Sequence, residues 1–376
     1  MTVILKKGKE KPLLNGHPWI FSGAVAQMPP HAAGEIYPIY SAAGDFLGEG
    51  YFNAKASIVG RLLSNLAQRL EQSIAFRQTL FGPETTAYRV VNGEGDFIPG
   101  LIVDKYGDHL VLQVGTLGIE RLKNQIVEHL QRLLNPKAIY EKSTLPSRKE
   151  EGLSEVQEWL GSPGQEEVEI LESGLRFKIS LTEGQKTGFF LDQREMRQKV
   201  RTRAKGKKVL NCFSYTGGFS VYAAAGGAMK VDSVDISEKA IALARTNLEL
   251  NPKVPGNCYV EDVFTFLREH PLDYDLVILD PPAFAKKQKD VMQGCRGYKD
   301  INRVALQKMP PGSTLLTCSC SHFVDERLFQ MVVFQAAAEA RRAVQIIGRH
   351  TLAPDHPINL AHPEGGYLKS LLLRVN

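Results

Sequence analysis

An α/β architecture, with a doubly wound and mostly parallel sheet in the C-terminal half, is predicted by three features of this 376-residue chain. From about Lys207 onward, short apolar runs alternate with stretches of helical periodicity, the pattern of strands and covering helices. Upstream of that point, β-like runs broken by Gly, Pro and Asn dominate and point to smaller β-rich domains. The composition, 43% hydrophobic and 23% charged, is that of an ordinary globular chain long enough for two or three domains.

Taken in order, residues 1–70 lack long helical periodicity. They offer short runs such as Ile36–Tyr40 and Ser57–Leu63, a small and mostly β domain. A helix is expected over about Leu66–Leu80. Residues 71–182 read as a central β-rich domain. Within it, Leu101–Val114 forms a hairpin around Gly107-Asp108, Gly118–Leu134 a helix, and 144–166 a surface loop rich in Gly, Ser, Pro and Glu. Residues 183–376 hold the alternating pattern. Strands are expected at Lys208–Asn211, Val231–Asp235, Cys258–Glu261, Asp275–Leu279 and Ser313–Thr317, with a helix over Ser237–Leu250. In such a sheet, ligands sit at the C-terminal ends of the strands.

The formal net charge of +5 fits a polyanionic partner but does not require one. No apolar stretch is long enough to cross a bilayer, so no membrane association is expected. The N-terminus turns basic at Lys6-Lys7, too soon for a signal peptide. Five cysteines without a CxxC pair argue against a disulfide framework and against a metal site. Free thiols imply a reducing compartment, so a cytoplasmic protein is expected.

The strand-end residues carry the candidate site. After Asn211 comes Cys212-Phe213-Ser214-Tyr215-Thr216-Gly217-Gly218, a Gly-containing turn into a helix that lets a ligand approach the backbone. The spacing is not the GxGxxG that a dinucleotide pyrophosphate favours. Asp235 ends the second strand, close to the roughly 20 residues past the turn at which a carboxylate accepts from ribose hydroxyls. Asp262 follows the third strand, where a carboxylate can accept from an adenine amino group. A nucleoside cofactor without a pyrophosphate fits better than NAD. The blander reading makes the glycines plain turns and the aspartates helix caps. The fourth strand ends in Asp280-Pro281-Pro282-Ala283-Phe284. Its prolines hold a rigid extended turn, Asp280 can accept from the amino group of a planar base, and Phe284 can stack on it.

The Asp-Pro-Pro-Ala-Phe turn at 280–284, the Asn-Cys-Phe-Ser-Tyr-Thr-Gly-Gly-Phe-Ser turn at 211–220 and Gly-Gln-Lys-Thr-Gly-Phe-Phe-Leu-Asp-Gln-Arg at 184–194 together resemble a known family. It is that of bacterial 23S rRNA large-subunit methyltransferases that carry an N-terminal PUA domain and make 5-methylcytosine. The resemblance spans essentially the whole chain. His17-Pro18-Trp19-Ile20-Phe21 looks like the start of the PUA domain, and Gly93–Leu101 like the central domain. The resemblance implies S-adenosylmethionine as cofactor, RNA as partner, and a homodimer as one option. It implies cofactor contacts at Phe190, Gln193, Arg194, Phe213, Tyr215 and Gly217, with Asp235 on the ribose, Ser237 in the neighbouring loop and Asp262 on the adenine. Pro281, Pro282 and Phe284 would border the target base. Without the resemblance, 186–194 reads as a turn and a charged helix start.

The last core strand runs Leu315-Leu316-Thr317-Cys318-Ser319-Cys320-Ser321-His322. Carbon 5 of a pyrimidine is not nucleophilic enough to take a methyl group unaided, and a thiolate adding to carbon 6 activates it. Cys318 and Cys320 are two residues apart and share a face, so geometry cannot choose between them if the strand continues. Cys320 lies nearer the strand end, and its Ser-Cys-Ser context resembles the catalytic segment of pyrimidine-5 methyltransferases, which favours Cys320. Asp280 would hold the cytosine amine or N3. The proton-abstracting group stays open among Asp280, His322 and water. The blander reading is two small buried thiols. The target base must leave its stack, so flipped-out or single-stranded RNA is expected. Basic stretches at Lys6–Lys11, Arg201–Lys208 and Lys286–Lys289 are candidates to hold phosphates, best of all a loop from Lys286 to Lys299. Two rival functions are a guanine-N7 rRNA methyltransferase, which needs no cysteine, and a non-catalytic RNA-binding ribosome-assembly protein.

Overall fold

The computed structural model describes residues 1–376, which fold as two compact units. The first comprises residues 1–171, 180–191 and 354–365; the second comprises 172–179, 192–353 and 366–376.

The first unit is built on two sheets. Six strands, in the spatial order Trp19–Phe21, Ile58–Leu62, Phe46–Asn53, Ala33–Tyr40, Val3–Leu5 and Val25–Gln27, form the N-terminal sheet. Five more, Val156–Trp159, Ala138–Ser143, His109–Val114, Leu101–Tyr106 and Ala87–Asn92, form the second. Helices Leu66–Leu80 and Leu117–Leu134 cover the second sheet with Leu70, Ile74, Ile119, Ile126 and Leu130. Tyr51 ties the two sheets together. Its buried hydroxyl donates to Pro99 O (2.8 Å) and accepts from Thr116 Oγ1 (3.0 Å). Gly118 lies so close beneath the Tyr51 ring that any side chain there would overlap it. A second tie is the buried Arg61–Glu151 pair at 2.7 Å, whose carboxylate also accepts from Asn53 Nδ2 (2.8 Å).

The second unit carries the seven-stranded sheet, whose strands we number in chain order: β1 (Lys208–Cys212), β2 (Lys230–Asp235), β3 (Cys258–Val260), β4 (Leu276–Leu279), β5 (Thr314–Ser319), β6 (Val344–His350) and β7 (Lys369–Val375). The spatial order is β3-β2-β1-β4-β5-β7-β6, with β7 antiparallel to both of its neighbours and β1 to β5 parallel. Alternate residues of the central strands pack on opposite faces. Val277, Leu279 and Leu315 join one core with helices Val263–Glu269, Val291–Lys308 and Glu326–Glu339. Leu276, Ile278 and Leu316 join another with helices Arg194–Arg201 and Gly218–Ala225. Burial on both faces explains why these strands read as continuous apolar runs. No helix is long and apolar enough to cross a membrane.

Three expectations are corrected. The 144–166 stretch is not all loop, because Ser147–Glu150 is a helical turn and Val156–Trp159 a strand. That strand pairs with Ala138–Ser143, and the Trp159 ring packs 4.9 Å from Tyr140, an anchor that outweighs the turn-rich composition. The Lys286–Lys299 loop ends early, since Val291 already begins a helix whose buried face holds Tyr298, Ile301 and Ala305. The last core strand stops at Ser319, where its pairing with Lys369 ends, rather than running on to His322.

Candidate active site

The β1-to-helix turn is tightly folded. Phe213, Tyr215 and Gly217 all take left-handed conformations, with φ of 57°, 46° and 80°. Gly217 is required there, because a Cβ would also meet Ala244 Cβ at 3.1 Å. The turn docks on the end of β2. Ser214 N donates to Val234 O (3.0 Å), and Tyr215 N donates to Asp235 Oδ2 (2.9 Å). Ser237 N donates to Asp235 Oδ1 (2.9 Å). Asp235 therefore has both oxygens oriented by main chain, each keeping a further lone pair for a hydroxyl.

Two of the strand-end residues also cap helices. Ser237 accepts from Ala240 N (3.3 Å), and Asp262 accepts through Oδ1 from Thr265 N (3.0 Å). Buried hydroxyls of Ser214 and Thr216 find no partner within the protein. Buried polar groups of this kind are normally satisfied. The polar amino-acid end of a nucleoside–amino-acid cofactor would satisfy them, so the turn fits such a group.

The second half of the site lies where β4 and β5 end. Asp280 follows β4, and its Oδ2 accepts from Gln193 Nε2 at 2.7 Å, Gln193 being buried. Cys320 follows β5, half-buried, with its Sγ 3.9 Å from Pro281 O. The turn after β5 is bolted to the turn after β4. Ser321 Oγ accepts from Ala285 N (3.1 Å) and shares a 2.8 Å hydrogen bond with the Tyr298 hydroxyl. Lys369 Nζ donates to Ser321 O (2.6 Å) and to Tyr367 O (2.8 Å). Phe284 is half-buried amid Tyr298, Phe264 and Phe213, with ring centroids at 4.7, 5.9 and 6.5 Å. Pro281 is buried and Pro282 exposed.

The two cysteines have different surroundings. Cys318 is fully buried inside β5, with its Sγ 3.8 Å from Met196 Sδ, and burial pushes its thiol well above the ordinary range. Asp280 and Cys320 push it further the same way. A thiol of that kind is inert. Cys320 lies past the strand end, half-buried, beside the turn that carries Asp280. His322 is exposed, its ring edge-on to Phe323 at 5.3 Å.

The contacts bring Tyr215, Asp235 and Ser237 together, Gln193 with Asp280, Cys320 with Pro281, and Phe213 with Phe284. Arg194 is held by Glu172. It is buried, and its Nε donates to Glu172 Oε2 (3.2 Å). Glu172 also accepts from Arg197 Nε and Nη2 (both 2.7 Å) and from the Tyr222 hydroxyl (2.9 Å). Phe190 belongs to the first unit, where the Lys186 ammonium lies 4.5 Å over its ring. The residues that sequence reasoning missed are Tyr298, Ser321 and Lys369. The only local signal was a lysine opening the otherwise apolar strand Lys369-Ser370-Leu371-Leu372-Leu373.

Comparison with known proteins identifies the family and the fold. Residues 147–374 match the family model of S-adenosylmethionine-dependent methyltransferases, and residues 3–65 match that of PUA-like domains. The chain is 40% identical over 400 residues to ribosomal RNA large subunit methyltransferase I of Erwinia tasmaniensis, covering 100% of both. It is 41% identical over 393 residues to the protein of the same name from Tolumonas auensis, covering 100% of this chain and 99% of the other. Among solved structures, a protein described as a "putative methyltransferase complexed with SAH" superposes with a TM-score of 0.83 at 26% identity over 99% of each chain. A protein described as a "putative sam-dependent methyltransferase from Streptococcus mutans" gives 0.82 at 25% identity, again over 99% of each. The chain belongs to the ribosomal RNA large subunit methyltransferase I family, as an S-adenosylmethionine-dependent methyltransferase with an N-terminal PUA-like domain.

Proposed function

We propose that the protein methylates carbon 5 of a cytosine in 23S rRNA through a covalent adduct with Cys320. The single observation that carries this reading is the place of Cys320, past the end of β5, half-buried, and 3.9 Å from the carbonyl of Pro281 in the turn that presents Asp280. A guanine-N7 methyltransferase has no use for a thiol held there.

S-adenosylmethionine supplies an electrophilic sulfonium methyl group when bound. Asp235 would accept from its ribose hydroxyls and Asp262 from its adenine. Ser237, Phe213, Tyr215 and Gly217 would form the surrounding wall, with Gln193 and Arg194 contributing from the 184–194 motif. Asp280 would accept from the cytosine amino group, oriented by Gln193 Nε2 at 2.7 Å, while Pro281, Pro282 and Phe284 border the base. The Cys320 thiolate adds to carbon 6, forming an S–C6 bond and moving the C5–C6 π electrons onto carbon 5. Carbon 5 takes the methyl group. Its proton then passes to a base, and the C–H electrons rebuild the double bond as the thiolate leaves.

In this reading residues 1–70 hold RNA as a PUA-like domain, 71–182 form the central domain, and 183–376 transfer the methyl group. The proposed compartment is the cytoplasm. The test is transfer of labelled methyl to unmodified 23S rRNA by wild type, Cys320→Ala and Cys318→Ser, followed by nucleoside analysis. The reading expects label in 5-methylcytosine that disappears with Cys320→Ala and persists with Cys318→Ser. Label in 7-methylguanine, or activity surviving Cys320→Ala, overturns it.

A further inference from the structure

Cys320 stands between two serines, and one lysine fastens both sides of that triplet. On the near side, Ser319 is the last residue of β5 and pairs in register with Lys369, the first residue of β7. On the far side, the Lys369 ammonium donates to Ser321 O at 2.6 Å. A second donation, to Tyr367 O at 2.8 Å, anchors the ammonium to its own strand. The two carbonyls take two of the three ammonium hydrogens.

Lys369 is only 6% exposed, in a part of the fold where lysine is rarely found. Burying a charge costs free energy unless a negative partner offsets it. Lys369 differs from the equally buried Lys142, which sits on two carbonyls, in having ionisable groups that act on it. The charged or ionisable groups that act on it are Cys320 and Asp325, and both favour its protonated form. Burial outweighs them and brings the ammonium down to about 8, so near neutral pH it keeps its charge. Asp325 is already engaged as the cap of helix Glu326–Glu339, accepting from Leu328 N at 2.7 Å. The other ionisable group that acts on the cation is the Cys320 thiol, whose neighbour Ser321 holds the ammonium.

We propose that Lys369 is the positioning residue of the nucleophile: it fixes the Ser319–Ser321 turn that presents Cys320, and its fixed positive charge favours the thiolate. The proposal rests on Cys320 being the nucleophile. Lys369 stays an ammonium throughout, and the thiol proton goes to solvent before the S–C6 bond forms. A cation beside a thiol lowers its pKa and raises the thiolate fraction at neutral pH.

The test uses full-length wild type, Lys369→Met, Lys369→Gln and Lys369→Arg, and reads two quantities. The first is the pH profile of iodoacetamide alkylation at Cys320, followed by mass spectrometry of the peptide, which needs neither cofactor nor RNA. The second is methyl transfer, with SAH affinity as the control for an intact cofactor site. Lys369→Met should raise the midpoint of the alkylation profile by about one pH unit. It should cut kcat by about tenfold or more at neutral pH, leave SAH affinity unchanged, and be partly rescued by Lys369→Arg. Should Lys369→Met melt early, Lys369→Gln carries the same comparison, since it keeps a donor for Ser321 O without the charge. An alkylation profile that is the same in wild type and in the neutral variants overturns the proposal. Full activity in Cys320→Ala would instead overturn the nucleophile assignment beneath it, so the two failures are distinguishable.

Discussion

Replacing Glu172 by glutamine should be among the most damaging single-atom changes available in the second unit. The carboxylate is fully buried and accepts from Arg197 twice at 2.7 Å, from Arg194 at 3.2 Å and from the Tyr222 hydroxyl at 2.9 Å. Glu172→Gln conserves shape and removes only the negative charge. It leaves two buried guanidinium groups, 1% and 2% exposed, facing a neutral amide that also points N–H donors at them. Breaking a buried ion pair from one side costs about 3–5 kcal/mol, because the surviving charge stays buried without compensation. For a unit of this size each kcal/mol lowers the melting temperature by about 2–4 °C, so the expected drop is roughly 6–20 °C. Thermal unfolding by circular dichroism, with SAH affinity measured well below the transition, would read it. The affinity reads separately whether Arg194, which Glu172 holds and which is proposed to contact the cofactor, has shifted. A melting temperature within about 2 °C of wild type would refute the reasoning.

Three further outcomes follow from the same contacts. Gly118→Ala would place a Cβ 2.1 Å from Tyr51 Cγ and force out a ring whose hydroxyl is bonded to Pro99 O and Thr116. A loss of about 2–4 kcal/mol in urea unfolding is expected, and wild-type stability would contradict it. Asp280→Asn keeps the shape of the Gln193 contact and removes the charge; kcat should fall by about a hundredfold with SAH affinity unchanged, and an unaffected rate would remove Asp280 from the chemistry. Lys142 is held by Leu181 O and Gly184 O, and burial brings its ammonium down to about 8 from 10.5. Between those pH values the unfolded chain binds the proton that the folded protein has released, so this group makes stability rise with pH. Lys142→Met should abolish that rise in denaturation curves at about pH 8 and pH 10, and an identical slope in both proteins would count against it.

Legibility tracked the range of the interactions involved. The helix Leu66–Leu80 falls where periodicity put it, helped by a local cap in which Asn65 accepts from Gln68 N at 3.3 Å. The Leu101–Val114 hairpin turns at Gly107, φ 62°, as its Gly-Asp pair requires. β1, β4 and β5 were readable because burial on both faces makes each a short, largely apolar run, while β3 at the sheet edge is only partly buried. The turn after β1 was readable as a turn because its glycine and left-handed residues are set locally, whereas Asp235 is also held by Tyr215 N, 20 residues away, and Asp280 by Gln193, 87 residues away. By contrast, β6 and β7 were not anticipated, since the position of β7 between β5 and β6 depends on pairing that no local pattern encodes. The same holds for Arg194, whose partner is 22 residues upstream, and for Lys369, 48 residues beyond Ser321. Trp159 shows the converse, with an aromatic contact making a strand from what composition reads as loop.

Asp355 links distant parts of the chain. It lies in the segment 354–365, yet its carboxylate receives Arg89 N at 2.9 Å, and its carbonyl receives Arg77 Nη2 at 2.8 Å. These contacts close over sequence separations of 266 and 278 residues. During synthesis, the first unit must therefore wait for most of the polypeptide to leave the ribosome before its core is complete. At about 5–20 residues per second that interval is tens of seconds. An excised fragment 1–171 would lack the Asp355 contacts altogether, so grafting the N-terminal part onto another enzyme as a self-sufficient module should give a less stable product than its compactness suggests.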